Sequence, residues 1–357
     1  FNYLNQQVQA NVVQISDTNG PPPQIGAIEG GFNILIVGTD TRAGQGGIGG
    51  DEEEVSSALN DVNILLHVSQ DQTNATAISF PRDLVVGIPE CPDEDGDTKY
   101  YSTEPLNVSL YYGGLQCVVM TIENLTGLPI QFAGMIDFQG VIHMSDAIGG
   151  VEVCTTGPIL DEDAGINIPE AGTTTLQGPY ALAFLRSRKG VGDGSDLSRI
   201  SSQQVFLSSL VRKMTSDGTL SDPQKVFALA NAAVSNMSLS PGLADVYTLA
   251  SIALAVKDIP LERITFVQYP GFTGGSGVYA GKVQPNETAA AELFALIASD
   301  QPFQLSAVGD DRGSTIDPNA PLADPAATDS PVDNSGLPVA DGVSGQTAAQ
   351  YSCAVPY

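Results

Sequence analysis

A chain of 357 residues with 41 Asp and Glu against 14 Lys and Arg carries a net charge of −27; it repels anions at long range and is a poor partner for nucleic acid. A hydrophobic fraction of 42% is enough for a large core, but no apolar run is long enough to cross a membrane. The start at Phe1-Asn2-Tyr3 carries no signal peptide and reads as a trimmed terminus.

Residues 1–31 are polar, include Pro21-Pro22-Pro23, and read as a lead-in segment. Phe32 to Gly38 is a buried-strand run that empties into Asp40, Arg42 and a glycine-rich acidic loop. Asp61 to Val68 and Ala75 to Phe80 are predicted strands joined by a turn, hence a hairpin, and the second ends in Pro81-Arg82-Asp83. An acidic loop follows from Cys91 to Thr98. Pro105 to Tyr112 and Leu115 to Leu125 are predicted helices parted by Gly113-Gly114 and stopped by Gly127. Gln131 to Phe138 reads as a strand, Gln139 to Ile148 as a helix ended by two glycines, and Val151 to Val153 as a short strand; an irregular stretch runs on to Gln177.

Pro179 to Leu185 is predicted helical, with proline in the first turn. Arg186 and Arg188 beyond it are two apart and share a face where the backbone is extended. After a glycine-rich break, Asp196, Arg199 and Gln203 fall on one face of a second helix that runs to Thr215. Helices at Pro223 to Asn236, Gly242 to Ala255 and Asn286 to Ser299, and strands at Arg263 to Gln268 and Val278 to Val283, complete the pattern. This alternation predicts one α/β domain over 32–299, an α/β/α sandwich with a central mixed sheet. From Asp300 to Tyr357 the composition turns to Pro, Ala, Asp, Ser and Gly, which predicts a loose tail unless Cys353 anchors it.

Charge gathers at the strand ends and in the arginine stretch. Arg42, Arg82, Arg186, Arg188 and Arg199, five of eight arginines, group with Asp40, Asp61 and Asp196. Guanidinium forks suit phosphate, and many arginines with few carboxylates fit a pyrophosphate accompanied by Mg²⁺. Surface ion pairs in an acidic protein are the competing explanation. His67 lies within a strand and His143 within a helix, and neither sits in a catalytic motif. No G-x-S-x-G is present, and the glycines after Arg42 lack a P-loop lysine. Cys91, Cys117, Cys154 and Cys353 form no C-x-x-C, which argues for two disulfides in an exported protein over zinc or four buried thiols. Sequence leaves the pairing open. Cys91 with Cys117, which flank one loop–helix unit, is the favoured pair, leaving Cys154 with Cys353.

The motifs NILIVGTDTR at Asn33 to Arg42, NDVNILLHV, ISFPRDLVVGIP, LNVSLYYGG, GGVEV, LQGPYALAFLRSR and DLSRISSQQ together resemble the LytR-CpsA-Psr domain in order and spacing, firmly over 33–214. The resemblance implies a membrane-anchored, extracytoplasmic phosphotransferase with an apolar lipid tunnel. It would move a glycopolymer, of arabinogalactan or teichoic-acid type, from a polyprenyl-pyrophosphate carrier onto peptidoglycan, with pyrophosphatase as a side activity. Arg82, Arg186, Arg188, Arg199 and Gln203 would hold the pyrophosphate, with Arg42 a further contact. Asp40 and Asp61 would bind Mg²⁺; Asp196 would support the metal or orient Arg199, and either Asp40 or Asp196 would act as base. The anchor would precede Phe1, and residues 215–299 would complete the sandwich or shape the acceptor groove. Two departures from the family pattern, Ser202 and Pro105, remove basic residues usual there. Hydrolysis of the lipid pyrophosphate, or wall and lipid binding without turnover, are the alternatives.

Overall fold

The computed structural model describes residues 30–40, 58–92, 98–216, 223–243, 246–310, 312–320 and 332–357. Eleven strands define its two main sheets: β1 (Phe32–Thr39), β2 (Asn60–Val68), β3 (Ala75–Phe80), β4 (Phe132–Ile136), β5 (Val151–Thr155), β6 (Gly172–Leu176), β7 (Met237–Leu239), β8 (Ile264–Gln268), β9 (Ser314–Ile316), β10 (Gly345–Thr347) and β11 (Ser352–Ala354). The helices are α1 (Ser109–Thr126), α2 (Phe138–Ala147), α3 (Pro179–Arg186), α4 (Asp196–Ser216), α5 (Pro223–Asn236), α6 (Val246–Lys257) and α7 (Glu287–Ala298).

The central sheet runs β7-β4-β1-β2-β3-β8-β10. β1 pairs in parallel with β4, and β3 with β8, whereas β2 pairs antiparallel with both β1 and β3. The C-terminal ends of β1, β3, β4 and β8 and the N-terminal end of β2 therefore share one edge. Side chains alternate across the sheet. Leu35, Val37, Leu65, Ile78 and Phe80 pack on one face under α1 and α7; Phe32, Ile34, Val68, Ala75 and Ala77 pack on the other under α4, α5 and α6. Burial of each such side chain stabilises by roughly 1.5–3 kcal/mol, so the alternation itself fixes the three-layer arrangement. Gly113 and Gly114 leave helical geometry, which kinks α1 where the sequence divides two helices. Asn286 caps α7 by accepting from the Ala289 amide.

A second sheet, β6-β5-β11-β9, lies beyond α4. Val205 and Phe206 of α4 pack with Val151, Val153 and Ala354 of that sheet, whereas Leu207 and Val211 pack with the central one. Helix α4 is thus held from both sides, which makes its first turn a rigid place for functional groups.

Two expectations are corrected and a third, on the tail, is met. The stretch before Gln177 is not irregular: 159–161 and 166–168 form a ribbon, and β6 pairs with β5. Val278 to Val283 is no strand; a short helical turn at 277–279 and the extended pair 284–285 replace it. The segment from Asp300 is anchored through Cys353, the condition under which it was expected not to be loose, and is ordered where it is described. It supplies β10 to the edge of the central sheet and β9 and β11 to the second. The bridges are Cys91–Cys117 and Cys154–Cys353. Asp317 lies close to the latter, but both sulfurs are bonded to each other, so that cluster is not a metal centre.

Candidate anion-binding site

Arg82 enters the shared edge just beyond β3. Its main chain is pinned on both sides, the amide donating to Asp196 Oδ2 at 2.9 Å and the carbonyl accepting from the Asn107 amide at 3.0 Å. Its side chain donates from Nη1 to Asp61 Oδ1 at 2.6 Å. Burial alone would lower the Arg82 pKa; Asp61 above all, then Asp196 and Asp83, outweigh burial and raise it.

Asp196 opens α4, whose first turn is capped by Ser195 accepting from the Ser198 amide at 3.2 Å. Three residues on, Arg199 Nη2 lies 2.6 Å from Asp196 Oδ1 and donates to the Asp61 carbonyl at 2.6 Å. Both side chains are nearly sealed from water, with 5% and 2% exposure. A buried pair of this kind is costly to break, by about 3–5 kcal/mol when one partner goes.

Arg188 sits past α3 on extended backbone at Ser187. Its nearest carboxylate is Asp83 Oδ2, 3.8 Å from Nη2. Burial, with Arg82 and then Arg199 adding like charge, lowers its pKa. The loop 187–195 is clamped by the end of the chain: the Gly192 amide donates to the Val355 carbonyl at 2.8 Å and the Tyr357 amide to the Gly190 carbonyl at 3.1 Å. Gly192 has φ +52°, and a Cβ there would stand 2.5 Å from the Arg312 carbonyl and 2.6 Å from Ser198 Oγ, so only glycine fits.

Three guanidinium groups thus share one edge with three carboxylates, and each arginine keeps a buried Nε–H without a hydrogen-bond partner: Arg82, Arg188 and Arg199. A buried donor left unmade is destabilising, so three together mark a place prepared for an acceptor. The remaining expected residues are placed as follows. Asp40, beyond β1, accepts from the Leu59 amide at 3.0 Å. Arg186 stacks over Phe138, its Cζ 4.4 Å from the ring centroid, just past the end of β4. Gln203, expected among the ligands, donates from Nε2 to the Leu185 carbonyl at 2.8 Å and so ties down a carbonyl that the end of α3 leaves open. Arg42 lies outside the described residues.

Two residues were missing from the sequence-derived group. Asp83 is the hub that Arg82 Nε and Arg188 approach at 3.7 and 3.8 Å. Lys282 reaches the same carboxylate at 2.9 Å. It is carried there by the Val85 amide donating to the Val283 carbonyl at 3.0 Å. The strand-end position marked Asp83; nothing in the sequence marked Lys282, 199 residues away.

A mixed-sheet sandwich that gathers half-buried and buried guanidinium groups where its parallel strands end has the form of a site for a multiply charged anion. The chain belongs to the LytR_cpsA_psr family, whose model matches residues 3–294. It is 28% identical over 286 residues to the cell wall biosynthesis protein LcpA of Corynebacterium glutamicum, covering 72% of this chain and 53% of LcpA, about half that relative's length. With the polyisoprenyl-teichoic acid–peptidoglycan teichoic acid transferase TagT of Bacillus subtilis it shares 26% identity over 257 residues, 71% of this chain and 72% of TagT. The solved LytR-Csp2A-Psr enzyme from Actinomyces oris has the same fold, with a TM-score of 0.58 at 24% identity over 80% of this chain and 94% of that one.

Proposed function

We propose that this protein transfers a glycopolymer from a polyprenyl-pyrophosphate carrier to a peptidoglycan hydroxyl, outside the cytoplasm and tethered to the membrane. The observation that carries this reading is the trio of unpartnered Nε–H groups on Arg82, Arg188 and Arg199, three fork-shaped donors suited to a diphosphate. The names of LcpA and TagT, and the two disulfides, support it. Among the described residues no helix is long and apolar enough to cross a membrane.

A cavity of about 560 Å³ lies between the end of α1 and α7, lined by Tyr101, Leu125, Tyr269 and Phe294 together with the polar Asn124 and Glu287. Tyr269 packs against Phe80 with ring centroids 5.5 Å apart, and Phe80 lies two residues before Arg82. A prenyl chain attached to the diphosphate would run along the apolar side of this cavity.

In the reaction the acceptor hydroxyl oxygen attacks the phosphorus that bears the glycan. A new phosphodiester forms, the bridging P–O bond breaks, and polyprenyl phosphate leaves. Arg82, Arg188 and Arg199 hold the phosphoryl oxygens and stabilise the charge that develops on them. Asp196 Oδ1 lies 2.6 Å from Arg199 Nη2 and Oδ2 accepts from the Arg82 amide, so it orients both arginines. Either Asp40 or Asp196 would take the hydroxyl proton. Asp40 and Asp61 are hard oxygen donors at the same edge, and one or two carboxylates plus substrate phosphates suit Mg²⁺. Bound there, Mg²⁺ would neutralise diphosphate charge.

The test is incubation with a polyprenyl-pyrophosphate sugar, with and without peptidoglycan fragments, and with Mg²⁺ or a chelator. Acceptor-dependent release of polyprenyl phosphate is expected, and it should fall on chelation. Release without acceptor would identify a hydrolase, and binding without release a non-catalytic module. Lys282→Ala should raise the KM for donor about fivefold to tenfold with little change in kcat, as for a cation that attracts the diphosphate in ground and transition states alike. An unchanged KM would leave Lys282 as a surface ion pair with Asp83.

A further inference from the structure

The side chain of Arg188 is only loosely directed, with its closest carboxylate oxygen 3.8 Å away and its Nε–H unpartnered. Its direction must come from the main chain, and the main chain there is held by one carboxylate. Asp161, at the end of the 159–161 ribbon strand, is 4% exposed. Its Oδ2 accepts from Ser187 Oγ at 2.9 Å, the Arg188 amide at 3.0 Å and the Lys189 amide at 2.9 Å, while Oδ1 accepts from the Ala164 amide at 3.1 Å. Burial would push this carboxyl up, but the bonds from Ala164, Ser187, Arg188 and Lys189 outweigh it and hold the pKa below the ordinary value. The ribbon is itself fixed, since Ile159, Ile166 and Ile168 are buried with Phe184 of α3 and Val205 of α4. Three donors from three consecutive residues converge on one oxygen, which leaves the 187–189 turn a single curvature.

We propose that Asp161 is a positioning residue for the anion site: by gripping the turn at 187–189 it sets the direction in which Arg188 meets the diphosphate. The proposal rests on the site reading given above. Asparagine has the same shape, but it loses the charge and one acceptor and turns an NH₂ group toward donors.

The experiment measures inorganic pyrophosphate binding by calorimetry, with Mg²⁺, together with amide hydrogen exchange. Asp161→Asn is expected to weaken pyrophosphate binding about tenfold and to speed exchange at Arg188 and Lys189, while exchange in β1–β3 stays as it was. In an Arg188→Ala background the same change should alter affinity less than about twofold, because the route through Arg188 is already gone. Ser187→Ala, which removes one donor and buries no charge, should give a loss of about twofold to threefold and serves if Asp161→Asn does not fold. An equal tenfold loss in both backgrounds would make Asp161 a general fold residue and overturn the proposal, as would full affinity in Asp161→Asn or Ser187→Ala. Failure of the site reading looks different: the unmodified protein then binds no pyrophosphate, while exchange at residues 188 and 189 still rises in the variant.

Discussion

Arg82→Ala is expected to lower polyprenyl phosphate release by about 10²–10³-fold, in the range seen when one preorganised donor to a developing anion is removed. The loss should appear in kcat as well as in kcat/KM, because a fork held by Asp61 on one side and by a pinned backbone on the other is set before the substrate arrives. The fold should survive. The Arg82 side chain is 24% exposed and Asp61 22%, so water can solvate the carboxylate left behind. Arg188→Ala should behave alike, with 33% exposure and no close partner to strand. Arg199→Ala is a poorer probe, since it leaves Asp196 charged and buried and mixes instability with lost catalysis. The ion-pair alternative makes the opposite prediction. An exposed pair contributes up to about 1 kcal/mol, so turnover within about fivefold of the unmodified protein in both variants would dismiss the arginines as a phosphate site.

Much of this site was legible because chemistry sat at positions that the backbone pattern marked. Asp61 and Arg82 bracket two mostly apolar runs joined by a short turn, and their pairing as a hairpin put both at one end. Asp196 and Arg199, three apart, meet as helical spacing requires. What stayed hidden has a common physical cause. Gln203 lies on the same helical face and also meets the carbonyl at the end of α3, a contact that local spacing cannot show. The strands 159–161, 166–168 and β6 are three to five residues long, and β6 is largely exposed, so they carry too little periodicity to announce themselves. The last 58 residues looked coreless by composition. Their few apolar side chains, Val343, Ala348, Cys353 and Ala354, are buried by partners hundreds of positions earlier in the chain or on distant strands. Composition averages over a window; burial depends on what a short segment meets.

The bridge that anchors the tail carries the second large effect. The double variant Cys154→Ser/Cys353→Ser should lose about 4–5 kcal/mol, more than the roughly 3.5 kcal/mol expected for Cys91→Ser/Cys117→Ser. The difference follows from loop size: the first bridge spans 199 residues and the second 26, and the entropy removed from the unfolded chain grows with the logarithm of that separation. Replacing both partners avoids a stray thiol. For a domain of this size each kcal/mol moves the thermal midpoint by about 2–4 °C, so a fall of roughly 8–20 °C is expected for the Cys154/Cys353 pair. A structural consequence should accompany it. β11 joins β5 to β9, and the residues just after it hold Gly190 and Gly192 in the arginine loop. Freed from Cys154, this strand retains only short ladders, so amide exchange at 190–194 should quicken at temperatures well below the midpoint. Were the Cys91/Cys117 variant to melt first, or the loop amides to stay protected without the Cys154–Cys353 bridge, the strap formed by residues 352–357 would have to be held by its β-pairing alone.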